Sequence, residues 1–113
     1  MDECLFCKIA SGGTDTKLVY EDQEIAAFND IKPKAKVHIL IVPKKHIESV
    51  ADLKDDDALL AGKMILVAKK LAEEKEIADS GYRLVFNTRK NAGQFVDHIH
   101  LHLIGGGPLG DMA

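Results

Sequence analysis

No apolar run in this 113-residue chain approaches the roughly 18 residues of a membrane span, so no transmembrane helix is expected. Basic charge is not in excess either. Fifteen Lys and Arg face 18 Asp and Glu, a formal charge of −3, and no cationic surface points to nucleic acid. The start, Met1-Asp2-Glu3-Cys4, is acidic and lacks an apolar segment, so no secretory signal is expected and the expected location is cytoplasmic. Cysteine is scarce, with only Cys4 and Cys7. In the cytosol a structural disulfide is improbable, and a close pair points to metal or redox work. Internal repeats and linkers are absent. What remains, 46% hydrophobic and 29% charged residues, suits one globular domain over residues 1–113.

Along the chain, residues 4–10 have the length of one or two helical turns, closed by Ser11-Gly12-Gly13. Residues 17–21 and 24–28 read as two strands of a hairpin around Asp22-Gln23. Lys32-Pro33-Lys34-Ala35-Lys36 reads as a solvated loop. Residues 37–42 form a nearly continuous apolar run stopped by Pro43, which predicts a central strand covered on both faces. From about Asp55 to Ala78 the period becomes helical, with Leu60, Met64, Val67 and Leu71 in one stripe, and Ser80-Gly81 supplies a stop. Leu59, Ile65, Leu66 and Ala72 widen the apolar surface beyond one stripe and hint at a second buried face. Residues 82–87 and 98–104 are the last two strands, followed by a short glycine-rich tail. The expected class is α+β: a five-stranded antiparallel sheet with one long helix and a short N-terminal helix.

Three of the five histidines fall at alternate positions in His98-Ile99-His100-Leu101-His102-Leu103-Ile104. In an extended strand these imidazoles share one face and the aliphatic residues share the other, which belongs in a core. One histidine would more often be a hydrogen-bonded structural residue, but three in strict alternation make that reading poor. Two chemistries compete for the set. A strand can offer histidines at i and i+2 to a catalytic zinc. Alternatively, one imidazole is a nucleophile toward phosphorus and its neighbours donate hydrogen bonds to phosphate oxygens. Spacing alone does not choose between them.

Cys4-Leu5-Phe6-Cys7 is a CxxC with only three residues before it, which disfavours a thioredoxin-type redox pair. Zinc is the leading reading, because His46 and the histidine run are available as further ligands. The segment Asn87 to Gln94 joins the last two strands, and Gly93-Gln94 can present backbone N–H groups and an amide to a phosphate. Asp30 can cap a turn or bind a ribose diol.

Taken together, these motifs resemble the histidine triad superfamily. The run from His98 to Ile104 matches its HxHxHxx signature, and the likeness extends through residues 19–22, 27–31, 38–47, 81–84 and 93–94. Pro108-Leu109-Gly110 looks like bacterial members of the nucleoside phosphoramidase branch. The resemblance implies a homodimer whose sheets join, with one purine nucleotide site per subunit. It implies that His100 attacks the α-phosphorus of a nucleoside 5′-phosphoramidate or acyl-nucleotide, forming a nucleotidyl-histidine that water then cleaves, with no metal needed for the chemical step. His102 would donate to phosphate oxygens near Asn87, Gly93, Gln94 and the Phe95 N–H. Asp30 would hold the ribose, and Leu5, Phe6, Ile9, Phe28, Ile31 and Leu40 would wall the base. His38 would support the triad from behind. Cys4, Cys7, His46 and His98 would bind one structural zinc per chain. Dinucleoside polyphosphate hydrolysis is the alternative within the enzyme class, and a nucleotide-binding regulatory protein with little turnover is the alternative outside it. Three positions depart from the family pattern: Phe95 where a serine is common, Asp97 where an aromatic residue is common, and Gly12 to Asp15 without the usual proline.

Overall fold

Strand β3 (Val37–Pro43) is apolar at nearly every position because both of its faces are covered. Ile39 and Ile41 point into one core, and Leu40 and Val42 into another on the opposite face. This geometry comes from a computed structural model that describes residues 4–111. The acidic start at residues 1–3 and the last two residues of the tail lie outside the described residues.

The sheet has the order β1-β2-β3-β5-β4 and is antiparallel throughout, with β1 at Leu18–Glu21, β2 at Ile25–Asn29, β4 at Tyr82–Phe86 and β5 at Leu101–Gly105. The β1–β2 hairpin turns at Asp22, whose Oδ1 accepts from the N–H groups of Glu24 and Ile25, both at 2.8 Å. On one face lies α2 (Ala58–Glu74), which buries Met64, Val67, Ala68, Leu71 and Ala72 against Ile25, Ala27, Ile39, Ile41, Leu101 and Leu103. On the other, α1 (Leu5–Ala10) packs Phe6, Ile9 and Ala10 on Ala26, Phe28, Leu40 and Val42. The expected α+β architecture and the central position of β3 are both present. No helix among the described residues is long and apolar enough to cross a membrane.

Three sequence expectations need correction. The long helix begins at Ala58 after a 3-10 turn over Asp55–Asp57, and it stops at Glu74, well before Ser80-Gly81. Its end is a Schellman turn: the Glu76 N–H bonds the Glu73 carbonyl, the Ile77 N–H bonds the Ala72 carbonyl, and Ile77 is buried. Glu76, with φ of 61°, takes the left-handed position usually given to glycine, so the stop carries no glycine signal. The second correction concerns β5, which starts at Leu101, so strand alternation governs only His102 of the three histidines. Past Leu101 the partner strand runs toward Pro43, which has no N–H to give, and the Ile99 N–H goes instead to the Ile47 carbonyl at 2.7 Å. The third is that Leu59, Ile65 and Leu66 are exposed in this chain, while Ala72 is buried in the same core as Met64 and Leu71, so α2 has no second buried face within it.

Candidate active site and metal centre

The α1 side of the sheet opens into a cleft of about 710 Å³, a size suited to a small-molecule ligand. Its floor is the alternate set of strand residues that face away from α2: Leu40 of β3, His102 and Ile104 of β5, and Val85 of β4. Leu5, Phe6, Ile9 and Phe28 form an apolar wall, and Asp30, Ile31, Asn87, Gly93 and Phe95 line the remainder with His38 and His100. Gly93 has φ of 81°, a backbone conformation that glycine adopts without strain.

Hydrogen-bond polarity assigns the proton on each imidazole. At His100, Nδ1 lies 2.8 Å from the His98 carbonyl, which only accepts, so Nδ1 carries the proton and Nε2 keeps a lone pair. Burial holds this ring below the ordinary histidine value and therefore neutral. The edge-to-face contact with Phe6, at 5.0 Å between centroids and 89°, restricts its rotation.

His102 is set through a chain of contacts. The Lys34 backbone N–H donates to His38 Nδ1 at 3.0 Å, so the His38 proton is on Nε2. That Nε2–H faces His102 Nδ1 at 2.9 Å and, more distantly, Asp30 Oδ2 at 3.4 Å. With Nδ1 accepting, His102 holds its own proton on Nε2, a buried donor with no partner among the described residues. Burial, reinforced by repulsion from His100 and His38, pulls His102 down to about 4, so it donates as a neutral ring. Asp30, His38 and His102 also bring three potential metal-binding atoms together, a carboxylate oxygen and two ring nitrogens. The proton that Lys34 places on His38 Nε2 occupies the nitrogen a metal would need.

The fourth histidine belongs elsewhere. His98 is fully buried, and its Nε2–H donates to the Pro43 carbonyl at 2.8 Å, leaving the Nδ1 lone pair free. That Nδ1 lies 3.3 Å from Cys4 Sγ, 3.4 Å from Cys7 Sγ and 3.2 Å from His46 Nδ1, and Cys7 Sγ is 3.3 Å from His46 Nδ1. A tetrahedral zinc with bonds of about 2.3 Å to sulfur and about 2.0–2.1 Å to nitrogen separates its donors by roughly 3.3–3.8 Å. The four side chains therefore fit a zinc ion in both donor type and spacing. Burial, with the adjacent Cys4 thiol, pushes Cys7 up to about 11, and a cation would reverse that by stabilising the thiolate.

The fold and the site agree with known proteins. The family model described as "Scavenger mRNA decapping enzyme C-term binding" matches residues 3–108. A purine nucleoside phosphoramidase of Escherichia coli is 46% identical over 111 residues, covering 98% of this chain and 93% of that protein. The crystal structure of a HIT family hydrolase from Legionella pneumophila superposes with a TM-score of 0.92 at 51% identity, over 94% of this chain and 95% of that one. The chain belongs to the histidine triad family. A zinc-bound histidine triad protein from Mycobacterium smegmatis shares 29% identity with a TM-score of 0.78, covering 92% of this chain and 75% of that one.

As a histidine triad protein, the chain brings nearly all of its expected nucleotide-site residues to the cleft. Gln94 is the exception. Its Oε1 accepts from the Arg89 N–H at 2.7 Å and its Nε2 donates to the carbonyls of Glu48 and Val96, so the amide staples the loop instead of facing the cleft. Sequence reasoning passed over Lys32 and Lys34, which line the cleft instead of forming a wholly solvated loop. Their place between Asp30 and His38 was the available signal.

Proposed function

We propose that this protein is a nucleotide hydrolase that cleaves the P–N or a related bond at the α-phosphate of a purine nucleoside 5′-phosphoramidate or acyl-nucleotide. The observation that carries this reading is the proton placement: an unprotonated Nε2 on His100 beside a protonated, unpartnered Nε2 on His102, with ring centroids 4.9 Å apart. One ring is a nucleophile and the other a donor. In the first step the His100 Nε2 lone pair forms a bond to phosphorus, the P–N bond breaks, and the leaving nitrogen takes up a proton from solvent to depart as the amine. His102 Nε2–H donates to a phosphate oxygen as charge gathers there. The nucleotidyl-imidazolium keeps its Nδ1–H on the His98 carbonyl, which favours the positive ring. Water then attacks phosphorus and gives up a proton to solvent, replacing the one the amine took, while the P–N(His100) bond breaks and the monophosphate is released with His100 neutral again.

Asp30 accepts the ribose hydroxyls in this reading, and Leu5, Phe6, Ile9, Phe28, Ile31 and Leu40 enclose a purine of the AMP or GMP type. One zinc per chain is held by Cys4, Cys7, His46 and His98, where it would staple α1 to the segment before β5 without entering the reaction. The protein acts as a cytoplasmic homodimer, for which the half-buried edge strand β4 and the exposed Ile65 and Leu66 of α2 offer surface. The relative's activity supports the enzyme reading over that of a binding protein. Incubation with an adenosine phosphoramidate tests it. Release of AMP is expected, at a rate above that on a dinucleoside polyphosphate, and nucleotide binding without release contradicts it.

A further inference from the structure

We propose that the metal centre and the nucleotide cleft form one coupled unit: a metal ion on Cys4, Cys7, His46 and His98 fixes α1 as a wall of the cleft, so metal and nucleotide each tighten the other's binding. This rests on the nucleotide and zinc readings above and adds a linkage that neither requires.

Helix α1 has six residues, far fewer than the roughly 12–15 at which an isolated helix becomes even marginal. Its position must come from contacts. At its N-terminal end the Cys4 Sγ accepts from the Cys7 N–H at 3.3 Å, so a metal-binding sulfur also caps the helix. Between the two cysteines stand Leu5 and Phe6, both facing the cleft. The CxxC therefore places two ligands of the metal and two residues of the base wall in the same helical turn. A cation holding Cys4 and Cys7 against His98, more than ninety residues away in sequence, holds Leu5 and Phe6 with them.

A second route runs through the histidines. Phe6 meets His98 edge-on at 6.2 Å, His100 at 5.0 Å and Phe28 at 5.4 Å, so one ring touches a metal ligand, the nucleophile and the base wall. His98 itself binds the metal through Nδ1 while its backbone carbonyl fixes the tautomer of His100. Losing the cation releases both supports, and the ligand-competent arrangement becomes one of several. The affinity of a nucleotide then falls by the fraction of molecules still competent. Linkage makes the effect reciprocal: whatever factor the metal contributes to nucleotide affinity, the nucleotide contributes to metal affinity.

The test uses the full chain, zinc-loaded and zinc-free, with AMP as the probe. Calorimetry should find AMP bound about five- to a hundredfold more weakly by the zinc-free protein. Competition against a chromogenic chelator should find zinc held more tightly, by the same factor, when AMP is saturating. Equal AMP affinity in both forms overturns the coupling. Where the zinc-free chain does not fold, Co²⁺ in place of zinc gives a visible spectrum that reports the metal shell directly. AMP should shift those bands in the wild-type chain and shift them less in Phe6→Ala. An unchanged spectrum on saturation with AMP overturns the proposal. The underlying readings fail differently: no AMP binding to the zinc-loaded chain removes the nucleotide site, and no uptake of zinc or Co²⁺ removes the metal centre.

Discussion

The Nδ1–H of His100 donates to the backbone carbonyl of His98 at 2.8 Å, which leaves an unprotonated Nε2 on a buried ring lining the cleft. This bond makes His100 the nucleophile of the proposed reaction. His100→Ala should therefore lose about three orders of magnitude or more in kcat, as expected for removal of a covalent nucleophile. AMP binding measured by calorimetry should persist. Near-wild-type turnover in the variant would assign the attack to another residue.

His38 sets the proton of His102 from a position behind it, through the 2.9 Å contact between His38 Nε2 and His102 Nδ1. His38→Phe keeps an aromatic ring but removes the donor, so His102 becomes free to carry its proton on Nδ1. The expected result is a fall in kcat of about a hundredfold with a smaller change in KM. Steady-state kinetics on an adenosine phosphoramidate would separate the two constants, and an unchanged kcat would remove His38 from the proposed chain.

Acidity should affect turnover and stability with the same sign. Burial holds His38, His98 and His100 below the ordinary 6.5, and burial with neighbouring imidazoles pulls His102 down to about 4. Since the active form of His100 is neutral, kcat/KM should be level above 6.5 and fall only below it. For stability, the unfolded chain takes up protons near 6.5 while the folded chain resists. The contribution of these groups is complete above 6.5 and is lost as pH falls toward about 4. Denaturant midpoints measured across this window should decrease with falling pH. A midpoint constant between 6.5 and 4 would contradict the placement of neutral, buried imidazoles.

The sequence was most readable where period and burial coincide. The unbroken apolar run of β3 announced a strand with two covered faces, and Leu101 and Leu103 entered the core as their alternation required. It was least readable where a local bond replaces a regular pattern. His98 and His100 look equivalent to His102 in spacing, yet Pro43 and Ile47 draw the chain out of the ladder before Leu101. The end of α2 was hidden because Glu76 occupies a glycine-type position. Lys34 acts through its backbone N–H, which no side-chain identity could disclose.

Metal analysis of protein purified in reducing, chelator-free buffer should find about one zinc per chain, given four donors at tetrahedral spacing. Cys4→Ser should lose the ion and lower the midpoint of thermal unfolding by about 5 °C or more, with measurable turnover remaining. Zinc-free wild-type protein of unaltered thermal stability would contradict the centre.

Sedimentation should report twice the mass of one chain. The edge strand β4 and the exposed Ile65 and Leu66 lie ready for a second copy, and Leu66→Lys with Ile65→Lys should shift the equilibrium toward monomer. A monomeric wild-type protein at micromolar concentration would remove the dimer from the account.

The covalent step can be read from the stereochemistry at phosphorus. An adenosine phosphorothioamidate of defined configuration, hydrolysed in isotopically labelled water, gives a chiral product whose configuration counts the displacements. Attack by His100 followed by attack by water makes two in-line displacements and predicts overall retention. Net inversion would mean that water attacks the substrate directly, and would contradict the nucleotidyl-histidine.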